Sequence, residues 1–183
     1  IPKVYLFVSG FNSSVMYYEN IMGVGVDMYL GSDYPYYNQV VYNYQKQTMR
    51  KECVVGDLLS MYIAYNIPYN SKYNRLLEQM IFRGKQMFLL AQLLPDEPEW
   101  EVIGYSKEQW DWCEMYERGI WHRIMDNGPF TAEISQESPG RLGLWVGWRI
   151  VDSYMRNNKD ITIHELMNEF DAQKILEQSY YKP

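Results

Sequence analysis

The sequence predicts an α+β chain, mostly α, in which a small N-terminal antiparallel sheet packs on a multi-helix bundle. Three observations carry that expectation. Apolar, β-branched segments are confined to the stretch before Gly31, apolar residues recur at helical spacing from Tyr37 onward, and capping boxes open at Ser106 and Thr162. A chain of 183 residues fits a single domain, with the sheet over about 1–35 and the helical part over about 37–183.

Lys3–Ser9 is short, β-branched and aromatic, and Gly10 closes it as a strand. After a loop rich in Asn and Ser, Met22–Leu30 alternates through Val24, Val26 and Met28 as a second strand. Gly23 and Gly25 inside it predict a bulge or a close backbone approach. Gln39–Met49 and Val54–Tyr65 read as helices, the second ended by Pro68. The strongest helix is Lys72–Leu93, with Tyr73, Leu76, Leu77, Met80, Ile81, Met87, Phe88 and Ala91 on one stripe, Ser71 as its N-cap and Pro95 as its stop. The acidic run Asp96–Glu99 reads as a loop. The box Ser106-Lys107-Glu108-Gln109 then starts a helix that continues to about Met125 and stops at Asn127-Gly128-Pro129. Residues 128–140 are loop by composition. Leu142–Met155 follows with Gly143 and Gly147 four apart, a spacing that lets another backbone come close. Thr162–Glu165 caps a short helix, and Asp171–Gln178 makes the last.

Apolar residues at 47% and charged residues at 22% exclude a disordered chain, and a net charge of −6 argues against a nucleic-acid partner. No run approaches the ~20 apolar residues of a membrane span. Opening on Ile1 rather than Met, the sequence leaves an upstream leader or lipid anchor undecided. Cys53 and Cys113 sit in apolar helical contexts and read as small buried hydrophobes. Eighteen tyrosines, crowded between Tyr17 and Tyr73, favour half-wet surfaces and sugar or peptide contacts.

Familiar enzymatic templates fail. There are two histidines, His122 and His164, and neither HExxH, CxxC, GxSxG nor a P-loop occurs. No cofactor is expected. What remains is a set of charged groups: Asp27 in an otherwise apolar run, Asp33 in the turn Gly31–Pro35, Glu117 mid-helix, and Arg141 as a candidate partner for such an acid.

Several blocks resemble one family. They are Gly25–Pro35, Gln79–Lys85, Ile103–Ser106, Ile120-Trp121, Pro139–Trp148 and Asp171–Leu176. In order along the chain, they resemble the gliding-motility lipoprotein GldB family of Bacteroidetes. The resemblance implies an exported cell-envelope lipoprotein, periplasmic or outer-membrane-associated, touching the membrane only through an N-terminal lipid anchor and having no established catalytic activity. The family is in turn similar to zincin-like zinc peptidases. There a helix carries HExxH, and a later Glu in a Glu-Gly context is the third ligand. Met80-Ile81-Phe82-Arg83-Gly84 would occupy that motif and Glu117 the later position, so both imidazoles and the general base are replaced. The resemblance thus implies a degenerate zincin-like fold without catalysis.

The expected function is a pseudo-peptidase scaffold that binds an envelope protein, a peptide or a glycan. Its candidate cleft is lined by Asp27, Tyr29, Asp33, Tyr34, Arg83, Lys85, Glu117, Trp121 and Arg141, with Arg83 and Lys85 placed to pair Glu117 or an anion. Two other readings stand beside it. One is a hydrolase, peptidase or glycosidase, working through carboxylates such as Asp27, Asp33 and Glu117, since glycoside hydrolysis needs only two acids. The other is a structural subunit whose exposed aromatics dock another chain.

Overall fold

The computed structural model describes residues 2–67, 69, 75–125 and 139–183. The expected helix stop at Pro68, the cap at Ser71, the stop at Asn127–Pro129 and the loop that follows to 138 lie outside the described residues; the helix expected from Lys72 instead starts at Leu76, after Arg75 as an extended N-cap. The chain forms two compact units, Ile1–Pro68 and Tyr69–Pro183.

The first unit is built on a three-stranded sheet of β1 (Lys3–Phe7), β2 (Val15–Tyr18) and β3 (Ile21–Gly25) in the order β1-β3-β2. Glu19 and Asn20, at φ 44° and 63°, make a tight turn that folds β2 back antiparallel on β3. The all-antiparallel sheet expected from sequence is corrected here, because β1 runs parallel to β3 in the register Lys3↔Ile21 to Phe7↔Gly25. The reason is the Asn/Ser loop. It carries the chain past the place β3 will take, so that the β2–β3 hairpin closes with β3 in the middle.

The second strand also ends earlier than its alternation suggests. Val26–Met28 form a single 3-10 turn after Gly25. A β-carbon at Gly25 would lie 2.1 Å from the Ser13 carbonyl oxygen, so the expected close approach is real and the loop backbone lies against this glycine. Val24 turns inward to a small core with Met28, Tyr29, Tyr37 and Met49.

The expected helix Gln39–Met49 is two separate turns, α1 (Tyr37–Val40) and α2 (Asn43–Lys46), with Val41 extended between them. The Tyr37 hydroxyl pins the start of α1 by donating to the Asp27 carbonyl at 2.8 Å and accepting the Leu30 N–H at 3.0 Å. α3 (Val54–Asn66) completes the unit beside β2, where Tyr17 meets Tyr62 and Tyr65.

The second unit is helical among its described residues. It comprises α4 (Leu76–Leu93), α5 (Glu99–Ile103), α6 (Lys107–Met125), α7 (Leu142–Asn157), α8 (Ile163–Asn168) and α9 (Ala172–Ser179). Both capping boxes form as expected. Ser106 Oγ accepts the Gln109 N–H while the Gln109 side chain accepts the Ser106 N–H, and Thr162 and Glu165 do the same. α5 begins at Glu99, the last residue of the expected acidic loop, and fills the stretch before Ser106 to which no element was assigned; Gly104 ends it in the left-handed conformation at φ 75°.

The centre of this unit is the crossing of α4 with α7. A β-carbon on Gly84 would stand 2.2 Å from the Gly147 carbonyl oxygen, and one on Gly147 would stand 2.0 Å from the Met80 carbonyl oxygen. The two helices therefore touch backbone to backbone. Trp110 of α6 packs edge-on to Trp145 and Trp148 of α7, and Cys113, Ile120 and Ile150 fill the same core. Burial pushes the Cys113 thiol up to about 12, as suits an inert core cysteine.

Candidate functional site

In the first unit, the chemistry gathers where the parallel strands end together. The register Phe7↔Gly25 places the residues two further on, Ser9 and Asp27, side by side. Asp27, 6% exposed, accepts the Ser9 N–H at 2.8 Å on one oxygen, and the Phe11 N–H at 2.7 Å and the Ser9 hydroxyl at 3.2 Å on the other. Burial alone would raise its pKa, but these donors outweigh it and hold the carboxyl below its ordinary value. Asp27 thus clasps the loop in which Gly10 and Phe11 both take positive φ, 67° and 61°.

That clasp positions an aromatic group. The Phe11 ring lies 4.7 Å from Tyr36, 6.3 Å from Tyr34 in near-parallel planes, and edge-on to Tyr37. Tyr34 and Tyr36 are exposed, as is Asp33, while Tyr37 is fully buried. Tyr29 faces elsewhere: its hydroxyl donates to Asp57 at 2.7 Å, and burial followed by that carboxylate raises its pKa. Of the four expected residues in this unit, the structure links Asp27 and Tyr34 through Phe11 and Tyr37. Tyr29 belongs to a separate contact.

In the second unit the expected residues do not converge as one group. Arg83 is exposed and donates to Gln86 at 3.2 Å. Lys85 is buried, and its ammonium donates to the Glu169 main-chain carbonyl between α8 and α9. The pairing of either cation with Glu117 is therefore corrected: Glu117 accepts the Tyr181 hydroxyl at 2.7 Å, and Trp121 meets the same tyrosine edge-on at 5.3 Å. The C-terminal tail fills the place that Arg83 and Lys85 were expected to reach. Arg141, at φ 63° before α7, donates its guanidinium to the Ile103 carbonyl, so it partners the end of α5 rather than an acid. Among the described residues, no three His, Cys, Asp or Glu side chains converge as metal ligands, and His122 and His164 are both exposed.

A family model described as Gliding motility protein GldB matches residues 1–128 and 122–183, which together span all 183 residues of the sequence. The chain belongs to the gliding motility protein GldB family. Comparisons with curated proteins and with solved structures each return no match.

Membership of the GldB family makes this a gliding-motility-related lipoprotein domain associated with the cell envelope. No described helix is long and apolar enough to cross a membrane. Sequence reasoning missed several residues that organise the GldB-family chain: Ser9, read only as the last residue of the first strand; Phe11, in a stretch read as plain loop; Asp57, which sits on an ordinary helical face; and Tyr181 in the tail. A signal was present for Phe11, a large apolar residue set directly before the polar run Asn12-Ser13-Ser14. For Tyr181, 64 residues from Glu117, there was none.

Lys85 supplies a pH test. Burial lowers its pKa to about 8, with Glu169 opposing the shift. Because the folded value lies below the unfolded one, near 10.4, the unfolded chain binds more protons between the two, and this contribution to stability rises as pH climbs from about 8 to about 10.4. In Lys85→Met that rise should vanish, and unfolding at pH 7 should be harder by ~1 kcal/mol, because an incompletely compensated buried charge is gone. Urea titrations of both proteins across this range check the sign.

Proposed function

We propose that the chain is a non-catalytic binding or assembly component of the cell envelope, a degenerate zincin-like scaffold held as a periplasmic or outer-membrane lipoprotein. The observation that carries this reading is the setting of Met80–Gly84, the segment that would bear a zinc-peptidase motif. Met80, Ile81 and Phe82 are buried, and Gly84 lies against the α7 backbone at Gly147, so the Gly84 face of α4 meets a helix and not a substrate groove. Binding then falls to surfaces such as the exposed rings around Phe11, suited to a peptide, a glycan or an envelope protein.

Asp27 weighs against the hydrolase reading. Its two oxygens are occupied by three donors and its pKa is lowered, whereas an acid catalyst needs a raised value and an open approach. The test is calorimetric titration of the chain with Zn²⁺, together with assays on casein and on peptidoglycan. The expected result is no stoichiometric zinc site at micromolar metal and no hydrolysis. A micromolar site lost in Glu117→Gln, or turnover of either substrate lost in that variant, overturns the proposal.

A further inference from the structure

The helix α6 buries one side and shows apolar groups on the other. Trp110, Cys113 and Ile120 lie in the core, whereas Met115 is 75% and Tyr116 47% exposed on the opposite side. The helical repeat sets Trp112, Met115, Tyr116 and Gly119 on one stripe, at i, i+3, i+4 and i+7. Trp112 is half-buried, and its ring lies 4.7 Å from that of Tyr116. Among the described residues, a β-carbon at Gly119 would meet nothing within 4 Å. The outward side of a surface helix is ordinarily charged and polar, so this stripe asks for a partner.

The charge around it is one-sided. Residues 94–138 hold eleven Asp and Glu against three Lys and Arg, a net −8, while the rest of the chain stands at +2. Glu108, Asp111 and Glu114 are exposed on the same helix. Of the nearby bases, Lys107 is held by Asp111, and Arg118 donates to the Pro183 main-chain oxygen. Residues 126–138, outside the described ones, bring Asp126, Glu133 and Glu137 and no Lys or Arg, so they supply no countercharge. A second copy would set acid against acid, and an anionic lipid surface would be repelled in the same way. The complement is a cationic segment with apolar residues at helical spacing, packed along the stripe as one helix on another.

We infer that α6 docks a cationic amphipathic helix of a partner protein, which rests its apolar residues on Trp112, Met115 and Tyr116 and sets its Lys and Arg against the acids of α6. The role rests on the reading of the chain as a binding component, but the two fail separately: zinc binding or hydrolysis would overturn that reading and leave this face as it is.

The test uses a capped helical peptide of lysine and leucine, with leucine on one stripe, followed by NMR of the full chain labelled with ¹⁵N. Binding should shift the amides of Met115, Tyr116 and Gly119, and should weaken as salt rises. Met115→Ser should weaken it ~10-fold, the worth of one well-packed apolar anchor, and Glu114→Lys should weaken it by charge. A peptide with the same lysines but scattered leucines should bind at least ~10-fold weaker, since charge alone does not fit the stripe. Equal binding of the scattered peptide, or of one with glutamate in place of lysine, overturns the inference, as do shifts that avoid α6. Urea unfolding of the free chain checks that the stripe is uncovered. Met115→Ser should leave the midpoint unchanged; a lowered midpoint means that the chain's own residues cover Met115, and the inference falls. It falls too if the chain sediments as a dimer with these amides already protected, since a second copy would then fill the face.

Discussion

Gly147→Ala should destabilise the helical unit by ~3 kcal/mol or more, even though alanine is the better helix former by ~1 kcal/mol. The added carbon would stand 2.0 Å from the Met80 carbonyl oxygen, a backbone atom that no rotamer change can move aside. The helices α4 and α7 must part, and the packing around Met80, Trp145 and Trp148 goes with them. Gly84→Ala should cost a comparable amount, from 2.2 Å at the Gly147 carbonyl. The double variant should fall short of the sum, because one separation relieves both contacts. Gly143→Ala is the control. Its new carbon would meet only the Met80 Cγ at 3.5 Å, so it should be neutral or stabilising by up to ~1 kcal/mol. All six tryptophans lie in the second unit, so urea unfolding followed by tryptophan fluorescence reads this series. A Gly147→Ala midpoint no lower than that of Gly143→Ala would refute the backbone contact.

Asp27→Asn should remove ~3 kcal/mol from the first unit despite its near-identical shape. One carboxylate oxygen receives the Ser9 N–H, and the other receives the Phe11 N–H and the Ser9 hydroxyl. An amide must turn its NH₂ toward one of these sets, so a donor faces a donor whichever way it flips. Hydrogen exchange at the Ser9 and Phe11 amides measures the loss locally and should show both unprotected in the variant. The pH dependence has a definite sign. Since the folded pKa of Asp27 is lowered, its stabilisation is complete above the unfolded value near 3.9 and is lost as pH falls through the lower folded value. Between about pH 5 and pH 2 the exchange-derived stability of the native loop should therefore fall more steeply than that of Asp27→Asn. Parallel curves would show that Asp27 is not the clasp.

Local signals made much of the helical architecture legible. The capping boxes at Ser106 and Thr162 fix the starts of α6 and α8, and a long periodic stripe marks α4. What escaped depends on distant partners. β2 is four residues long and gains its identity by pairing with β3; the parallel run of β1 follows from a crossover that no local pattern encodes. Gln39–Met49 has helical spacing, yet Tyr37 is anchored to Asp27 and Leu30 and Val41 is extended. For the candidate site, the oddity of an acid in an apolar run singled out Asp27, and the structure gives it a central place as a clasp. The likeness to the zinc-peptidase pattern, which set all three residues around the place of a metal, suggested the pairing of Lys85 and Arg83 with Glu117. It failed because a tyrosine near the C-terminus and a carbonyl between α8 and α9 compete successfully for those groups.

The glycine contact between α4 and α7 also bears on how the chain can vary. A side chain as large as histidine at position 84 would have to occupy the volume of another helix's main chain, so it cannot be introduced there without rebuilding both elements together. Drift at this crossing is therefore coupled, because neither glycine can be replaced while the other helix keeps its place.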